Sequence, residues 1–257
     1  MAIDEAVVRC YSEERAPTLR FYGWERESVS VGYFQDTERE LNCRFCQQHH
    51  IDVVRRPTGG KAVLHGSDLT YAVVASASDA LFSSHVLETY RIISECIIRG
   101  LEKAGISASL VQEGRPVPPG GGDCCCFAVP VQHELCVGER KICGSAQVRV
   151  RSAFLQHGSI PMDFDCARSR MIMELHRQGR EKRPDTLVRS VTSVNEQLEE
   201  GIGIEVLCDH LAGGFEEYMN IGLIPGELQS DEQRLKEELL RTKYSRPHWN
   251  MKGTVVK

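Results

Sequence analysis

The chain has no run of apolar residues near the roughly 20 that a helix needs to cross a bilayer, so no membrane-spanning helix is expected. Its first residues, Met1-Ala2-Ile3-Asp4-Glu5-Ala6, have neither the basic start nor the apolar stretch of a secretory signal. Eleven cysteines in 257 residues are therefore read in a reducing, cytosolic setting rather than as a disulfide framework. There is no excess of positive charge. The formal net charge of -5 argues against general nucleic-acid binding and leaves only local basic patches open. Internal repeats are absent. A second Cys-x-x-Cys is absent too, so Cys43 and Cys46, with His49 and His50 nearby, read as a helix face rather than half of a zinc site, and no metal is expected.

Hydrophobic residues make up 41% of the chain, enough for a full core in one large domain, alone or with a small appendage. The most informative stretch is Arg55-Arg56-Pro57-Thr58-Gly59-Gly60-Lys61-Ala62-Val63-Leu64-His65. It reads as a strand, a tight glycine turn and a strand. Two adjacent glycines permit positive φ and let a ligand reach the bare backbone, so a substrate is expected there. The alternative is an ordinary hairpin turn.

Around this motif the pattern alternates between sheet and helix. Ile3 to Val8 reads as a short helix, and Thr18–Tyr22 and Ser28–Gly32 as strands around a turn near Glu25. Thr37 with Glu40 makes a capping box for a helix to about His49. Leu69–Ala75 is the clearest strand, rich in β-branched residues and expected to be central. Val86, Tyr90, Ile93, Ile97 and Leu101 keep helical spacing from a Ser83-Ser84 cap to Gly105. Pro116, Pro118, Pro119 and Gly120 to Gly122 mark an exposed loop that ends in Cys124-Cys125-Cys126-Phe127. Glu134–Val137 and Lys141–Val148 form a hairpin about Gly138-Glu139, followed by a strand from Ala153 to Ile160. Beyond Cys166 the pattern turns helical, near Arg168 to Arg177, Glu205 to Met219 and Asp231 to Lys243. This divides the chain into a catalytic domain over 1–200 and a helical C-terminal cap over 201–257.

The glycine turn, a cysteine behind a flexible loop and Lys141 at the start of a small-residue strand would all serve acyl transfer. A thiolate attacks a carbonyl and carries the acyl group, while a cation or backbone N–H groups stabilise the oxyanion. Blander readings stand beside this one. The three cysteines could be a metal or redox cluster, and Lys141 a solvated hairpin lysine. Arg140, Lys141, Arg149 and Arg151 would give a basic face for acidic partners.

Several blocks, in order, carry a family resemblance: Met1 to Ala6; Ser30-Val31-Gly32-Tyr33-Phe34-Gln35; Arg55 to His65; Leu69-Thr70-Tyr71; Cys126-Phe127 with Pro130 and Glu134-Leu135; Gly138 to Ile142 leading to Gly144-Ser145-Ala146-Gln147; and Gln156-His157-Gly158-Ser159-Ile160. With these the chain resembles the biotin/lipoate protein ligase superfamily, and within it the cysteine-dependent octanoyltransferases of the LipM type. Lys243-Tyr244 and Trp249-Asn250 resemble the family's C-terminal end.

The resemblance implies an α+β fold, a mixed β-sheet flanked by helices, related to class II aminoacyl-tRNA synthetases and biotin ligases, with a small helical C-terminal portion. It implies that Cys126 takes octanoyl from acyl carrier protein as a thioester and passes it to a lysine of a lipoyl-bearing protein, such as the glycine cleavage H protein or a lipoyl domain, in lipoate biosynthesis. Lys141 would contact the acyl carbonyl, and Arg56, Thr58, Gly59, Gly60, Ala62, His65, Gly144, Ser145, Ala146, His157 and Gly158 would bind substrate. No cofactor, nucleic acid or membrane is implied. The family usually has a strand before the Met1–Ala6 helix, so either an edge strand is missing or the start codon is misplaced. Relatives carry a serine and aromatic pair where this chain has Val131, Gln132 and His133. The rivals are an ATP-dependent lipoate–protein ligase, an octanoyl amidotransferase between lipoyl proteins and, outside this class, a metal- or redox-binding cysteine-rich protein.

Overall fold

A computed structural model describes residues 1–111, 134–173 and 190–253. Two sheets organise them. The larger has six antiparallel strands in the order β1 (Thr18–Tyr22), β5 (Asp68–Ser76), β9 (Ala153–Pro161), β8 (Arg140–Val150), β7 (Leu135–Val137), β6 (Ser109–Leu110). In the smaller, β2 (Ser28–Val31) lies between β3 (Asp52–Arg55), to which it is parallel, and β4 (Val63–His65), to which it is antiparallel. Mixed pairing is thus a property of the small sheet.

Strand β5 is buried along its whole length because both faces are covered. Tyr71, Val73 and Ala75 point into the main core, with Ile93, Ile97 and Leu101 of α4 (Val86–Lys103) and Leu207, Leu211 and Phe215 of a later helix, Ile204–Met219. Ala72 and Val74 meet Val7 and Val8 of α1 (Ala2–Cys10) on the other face. This is the period-2 alternation of a strand between two apolar layers. The helix at 204–219 crosses α4 closely enough to need glycine. A Cβ on Gly214 would sit 2.4 Å from the Cys96 carbonyl oxygen, and one on Gly100 would sit 2.6 Å from Leu211 Cα.

Four expectations change. Strands β1 and β2 do not pair with each other, since β1 joins β5 and β2 founds the small sheet. Strands β3 and β4 are not a hairpin either, because β2 lies between them and the glycine turn carries the chain across its end. The helix read from Thr37 to His49 is two short ones, α2 (Thr37–Glu40) and α3 (Cys43–Gln48). Leu41 is extended and buried in the small-sheet core, and the Asn42 side chain starts α3 afresh by accepting from the Phe45 N–H at 2.9 Å. The N-cap of α4 is His85 rather than the Ser83-Ser84 pair.

After α5 (Cys166–Met173) and α6 (Val194–Gln197), the helix at 204–219 is α7, and α8 (Ser230–Leu239) runs into a π-helical turn, Leu240–Tyr244, and then α9 (Pro247–Lys252). Whereas α7 shares the main core, Leu239, Tyr244 and Trp249 pack on Ala6 of α1. No described helix is long and apolar enough to cross a membrane.

Candidate active site

A cleft opens where the two sheets meet. Ser30 of β2, Val63 and His65 of β4, and Arg56 line one wall; Thr70 of β5, Gly144, Ser145 and Ala146 of β8, and His157, Gly158 and Ser159 of β9 line the other. Short and absent side chains leave this space. A Cβ on Gly158 would sit 2.4 Å from Tyr71 Cε1 and 2.7 Å from Ser145 Oγ, so a larger residue would close the floor. The Tyr71 hydroxyl is 2.6 Å from Ser145 Oγ and accepts from Gln156 Nε2 at 3.2 Å, which fixes Ser145 from behind.

Arg56 shapes the glycine turn. Its guanidinium donates to the carbonyls of Gly59 at 3.0 Å and Lys61 at 2.8 Å, and on β2 to the Ser30 carbonyl at 2.8 Å and hydroxyl at 2.7 Å. The turn also packs on Gly32, where a Cβ would fall 1.9 Å from the Gly60 carbonyl oxygen. Gly60 has φ 89, a conformation that favours glycine. Among the described residues, a Cβ on Gly59 would meet no atom within 4 Å.

Polar groups converge on the His65 ring, which is buried. Its Nδ1 is 2.8 Å from Asp68 Oδ2, its Nε2 is 2.7 Å from Ser30 Oγ, and Trp24 stacks on it with centroids 4.0 Å apart. Asp68 Oδ2 also accepts from Ser159 at 2.7 Å and Thr70 at 3.2 Å, and Oδ1 from the Gly66 N–H at 3.1 Å. Burial alone would raise the Asp68 carboxyl, but His65, Ser159 and Gly66 outweigh it and hold it below the usual aspartate value. On the opposite wall, burial pulls the His157 imidazole below its ordinary value against the opposing pull of Asp4. Its Nε2 meets Thr58 Oγ1, and its buried Nδ1, 3.9 Å from Asp4 Oδ2, makes no hydrogen bond among the described residues.

Lys141 is completely buried at the start of β8, and its Nζ forms an ion pair with the Glu134 carboxylate. It is therefore not the solvated hairpin lysine of the blander reading. Along β8 it precedes Gly144 by roughly 10 Å at the usual rise per residue. The expected basic face does not form. Lys141 is interior, Arg140 pairs with Glu196, and Arg149 lies nearly a full strand away, donating to the Ser84 carbonyl at 2.7 Å.

Of the residues expected at the site, Arg56, His65, Gly144, Ser145, Ala146, His157 and Gly158 line one cleft. Thr58 reaches it through His157, and Gly59 and Gly60 form the turn that Arg56 holds. Ala62 lies elsewhere, inside the small-sheet core with Val29 and Val31. Cys126, with Cys124 and Cys125, lies outside the described residues. Ser30, Thr70 and Ser159 join the cleft unforeseen although each sits in a motif block, because strand alternation alone does not say which face meets the second sheet. Asp68 and Trp24, which hold His65, lie outside those blocks and gave no signal. Cys43 and Cys46 sit on α3, where burial pushes the Cys46 thiol up to about 11. Among the described residues no group of three metal-ligating side chains converges.

The model of the lipoyl protein ligase A/B catalytic domain matches residues 1–216. The chain belongs to this family. It is 37% identical to the octanoyltransferase LipM of Geobacillus kaustophilus over 98% of this chain and 93% of that protein. With the LipM of Bacillus subtilis it shares 35% identity over 98% and 93% of the two chains. Among solved structures, a bipartite lipoate protein ligase of Thermoplasma acidophilum, determined with its E2 lipoyl domain, superposes with a TM-score of 0.83 at 26% identity, over 100% of this chain and 92% of that one. A lipoate-protein ligase A bound with ATP gives 0.80 at 29% identity, covering 97% and 92%. The fold is thus that of the lipoate ligases.

Proposed function

We propose that the protein is an octanoyltransferase of lipoate biosynthesis. It takes octanoyl from acyl carrier protein and delivers it to a lysine of a lipoyl-bearing protein, the glycine cleavage H protein or a lipoyl domain, through a thioester on Cys126. The observation that carries this reading is the near full-length similarity to octanoyltransferases. The cleft lined by small residues supports it.

In this reading the Cys126 thiolate attacks the carrier thioester, the carbonyl oxygen becomes an oxyanion, and the carrier's thiolate leaves. Lys141, buried and turned toward a carboxylate, supplies positive charge for the oxyanion where low dielectric strengthens it. Arg56, Thr58, Gly59, Gly60, His65, Gly144, Ser145, Ala146, His157 and Gly158 hold the acyl group. Residues 1–200 carry the chemistry, and 201–257 brace it from behind.

An ATP-dependent ligase is the rival, because a solved relative with this fold binds ATP. The two differ in the source of activation, which a thioester already contains. The experiment offers the protein octanoyl-carrier protein, or free octanoate with ATP and magnesium, each with apo H protein as acceptor. Acylation from the carrier without ATP is expected, whereas strict dependence on ATP would move the chain to the ligases. Octanoylated H protein offered as the donor to an apo lipoyl domain tests the amidotransferase.

A further inference from the structure

Among the described residues, the large aromatics that stand exposed are two neighbours, Tyr33 at 42% and Phe34 at 89%. A single exposed apolar residue needs no explanation, but an adjacent pair beside a candidate active site does. Neither ring joins a hydrophobic core cluster of the described residues. Tyr33 leans edge-on against Trp249 of α9 with centroids 5.8 Å apart, and Phe34 against Tyr33 at 4.9 Å.

The backbone beneath the pair is firmly held. Arg55 Nη1 donates to the carbonyls of Gly32, Tyr33 and Gln35 at 2.8–2.9 Å. The turn closes on itself, since the Gly32 N–H donates to Gln35 Oε1 at 2.9 Å and the Gln35 N–H to the Gly32 carbonyl at 3.1 Å. It also abuts the glycine turn of the cleft. The Tyr33 N–H donates to the Thr58 carbonyl at 2.8 Å, and Gly32 lies so close to Gly60 that a Cβ would not fit between them. Flanking charges cancel, with Asp36 on Arg39 at 3.3 Å and Glu38 on Lys252 at 2.6 Å. Lys61, next to Gly60, makes no ion pair among the described residues, so the surplus charge at this rim is positive and suits an acidic partner.

Two proteins must visit this cleft, and their reach differs. The carrier delivers octanoyl on a long prosthetic arm and can dock at a distance. The acceptor's lysine extends its amine only about 6 Å from the backbone, so the acceptor's own surface must come against the rim. A rigidly held aromatic loses little conformational freedom when a partner covers it, which is what an interface anchor needs.

We propose that Tyr33 and Phe34 are the anchor on which the lipoyl-bearing acceptor docks when it presents its lysine. This rests on the octanoyl-transfer reading above. The two rings touch no reacting atom, so they set the affinity for the acceptor and leave the chemical step to the cleft.

The test loads the full chain with octanoyl from the carrier and follows single-turnover transfer at rising concentrations of apo H protein. Phe34→Ala removes a ring outside the core, so its Tm should match the wild type. The half-saturating acceptor concentration should rise about tenfold or more, while the limiting rate stays within about twofold. Loading from the carrier and release by hydroxylamine, which needs no dock, should not change. Phe34→Trp, which keeps an aromatic, should behave as the wild type. Unchanged half-saturation overturns the proposal. So does a loss in loading, which would assign the pair to the carrier, or a lower limiting rate at the same half-saturation, which would make the pair a brace for the glycine turn. A wild-type dimer that Phe34→Ala separates would make the pair an interface between copies, and this too overturns it. If the wild type does not load, the octanoyl-transfer reading fails instead, and calorimetric titration of apo H protein into both proteins decides the dock: weaker binding to Phe34→Ala upholds it, and equal binding or none overturns it.

Discussion

Arg55 and Arg56 are neighbours in one motif, both buried, and strand alternation turns them in opposite directions. Arg55 faces away from the cleft. Its guanidinium donates to the carbonyls of Gly32, Tyr33, Gln35, Trp249 and Met251 and to Thr37 Oγ1, all at 2.7–3.1 Å. Trp249 and Asn250 answer with bonds to its backbone. Arg56 faces the cleft and holds the glycine turn and Ser30. Identical chemistry thus serves two ends. One guanidinium fastens the C-terminal helices to the sheet, and the other sets the geometry of the site. Burial lowers the pKa of Arg55 from its ordinary value against the opposing pull of Asp36, and the carbonyls around it take the place of water as acceptors.

The clasp extends beyond Arg55. At the π-helical turn, Lys243 pairs with Glu5 at 2.6 Å and sits 3.9 Å over the Trp249 ring, while Tyr244 bonds the same carboxylate. A π-turn adds a residue to the helical register and so re-aims side chains. Here it brings Lys243 and Tyr244 onto one acceptor of α1.

Two substitutions separate the arginines. Arg55→Ala should cost about 3 kcal/mol or more, since it strands buried carbonyls on both sides of the clasp. Denaturant melts read this, and a loss under about 1 kcal/mol would mean that the clasp is not held by Arg55. Arg56→Lys keeps the charge but not the planar fork, so it should lower octanoyl transfer on the order of 10²-fold while costing about 1 kcal/mol of stability. Equal stability losses in the two variants, or normal transfer in Arg56→Lys, would erase the contrast.

The sequence made one arginine visible and not the difference between them. Periodicity and β-branched content located β5, α4, β8 and β9, because each buries a face whose spacing is intrinsic to the chain. It did not reveal that β2 inserts between β3 and β4, since pairing is decided by partners distant in sequence. The glycine turn was legible from Gly59-Gly60, and much of the cleft from the motif blocks. Ala62 was assigned to the cleft because it lies in the same motif, yet it faces the small-sheet core. Asp68 went unread because an aspartate at a strand start looks like a solvated turn residue until His65 and Ser159 close over it. The basic face failed for a simpler reason. Arg140 and Arg149 are nine residues apart on one extended strand, roughly 30 Å at the usual rise.

The central claim is covalent transfer through Cys126, and its most direct test is a half-reaction. The protein is incubated with octanoyl-carrier protein and no acceptor, then digested and mapped by mass spectrometry. One hydroxylamine-sensitive octanoyl group is expected on Cys126, lost in Cys126→Ser and kept in Cys124→Ser and Cys125→Ser. Cys46 and Cys96, whose thiols burial pushes up to about 11 and about 12, hold too little thiolate at neutral pH to compete. An adduct on Cys125 would shift the nucleophile by one residue. Transfer that continues with no cysteine carrying octanoate would contradict the account.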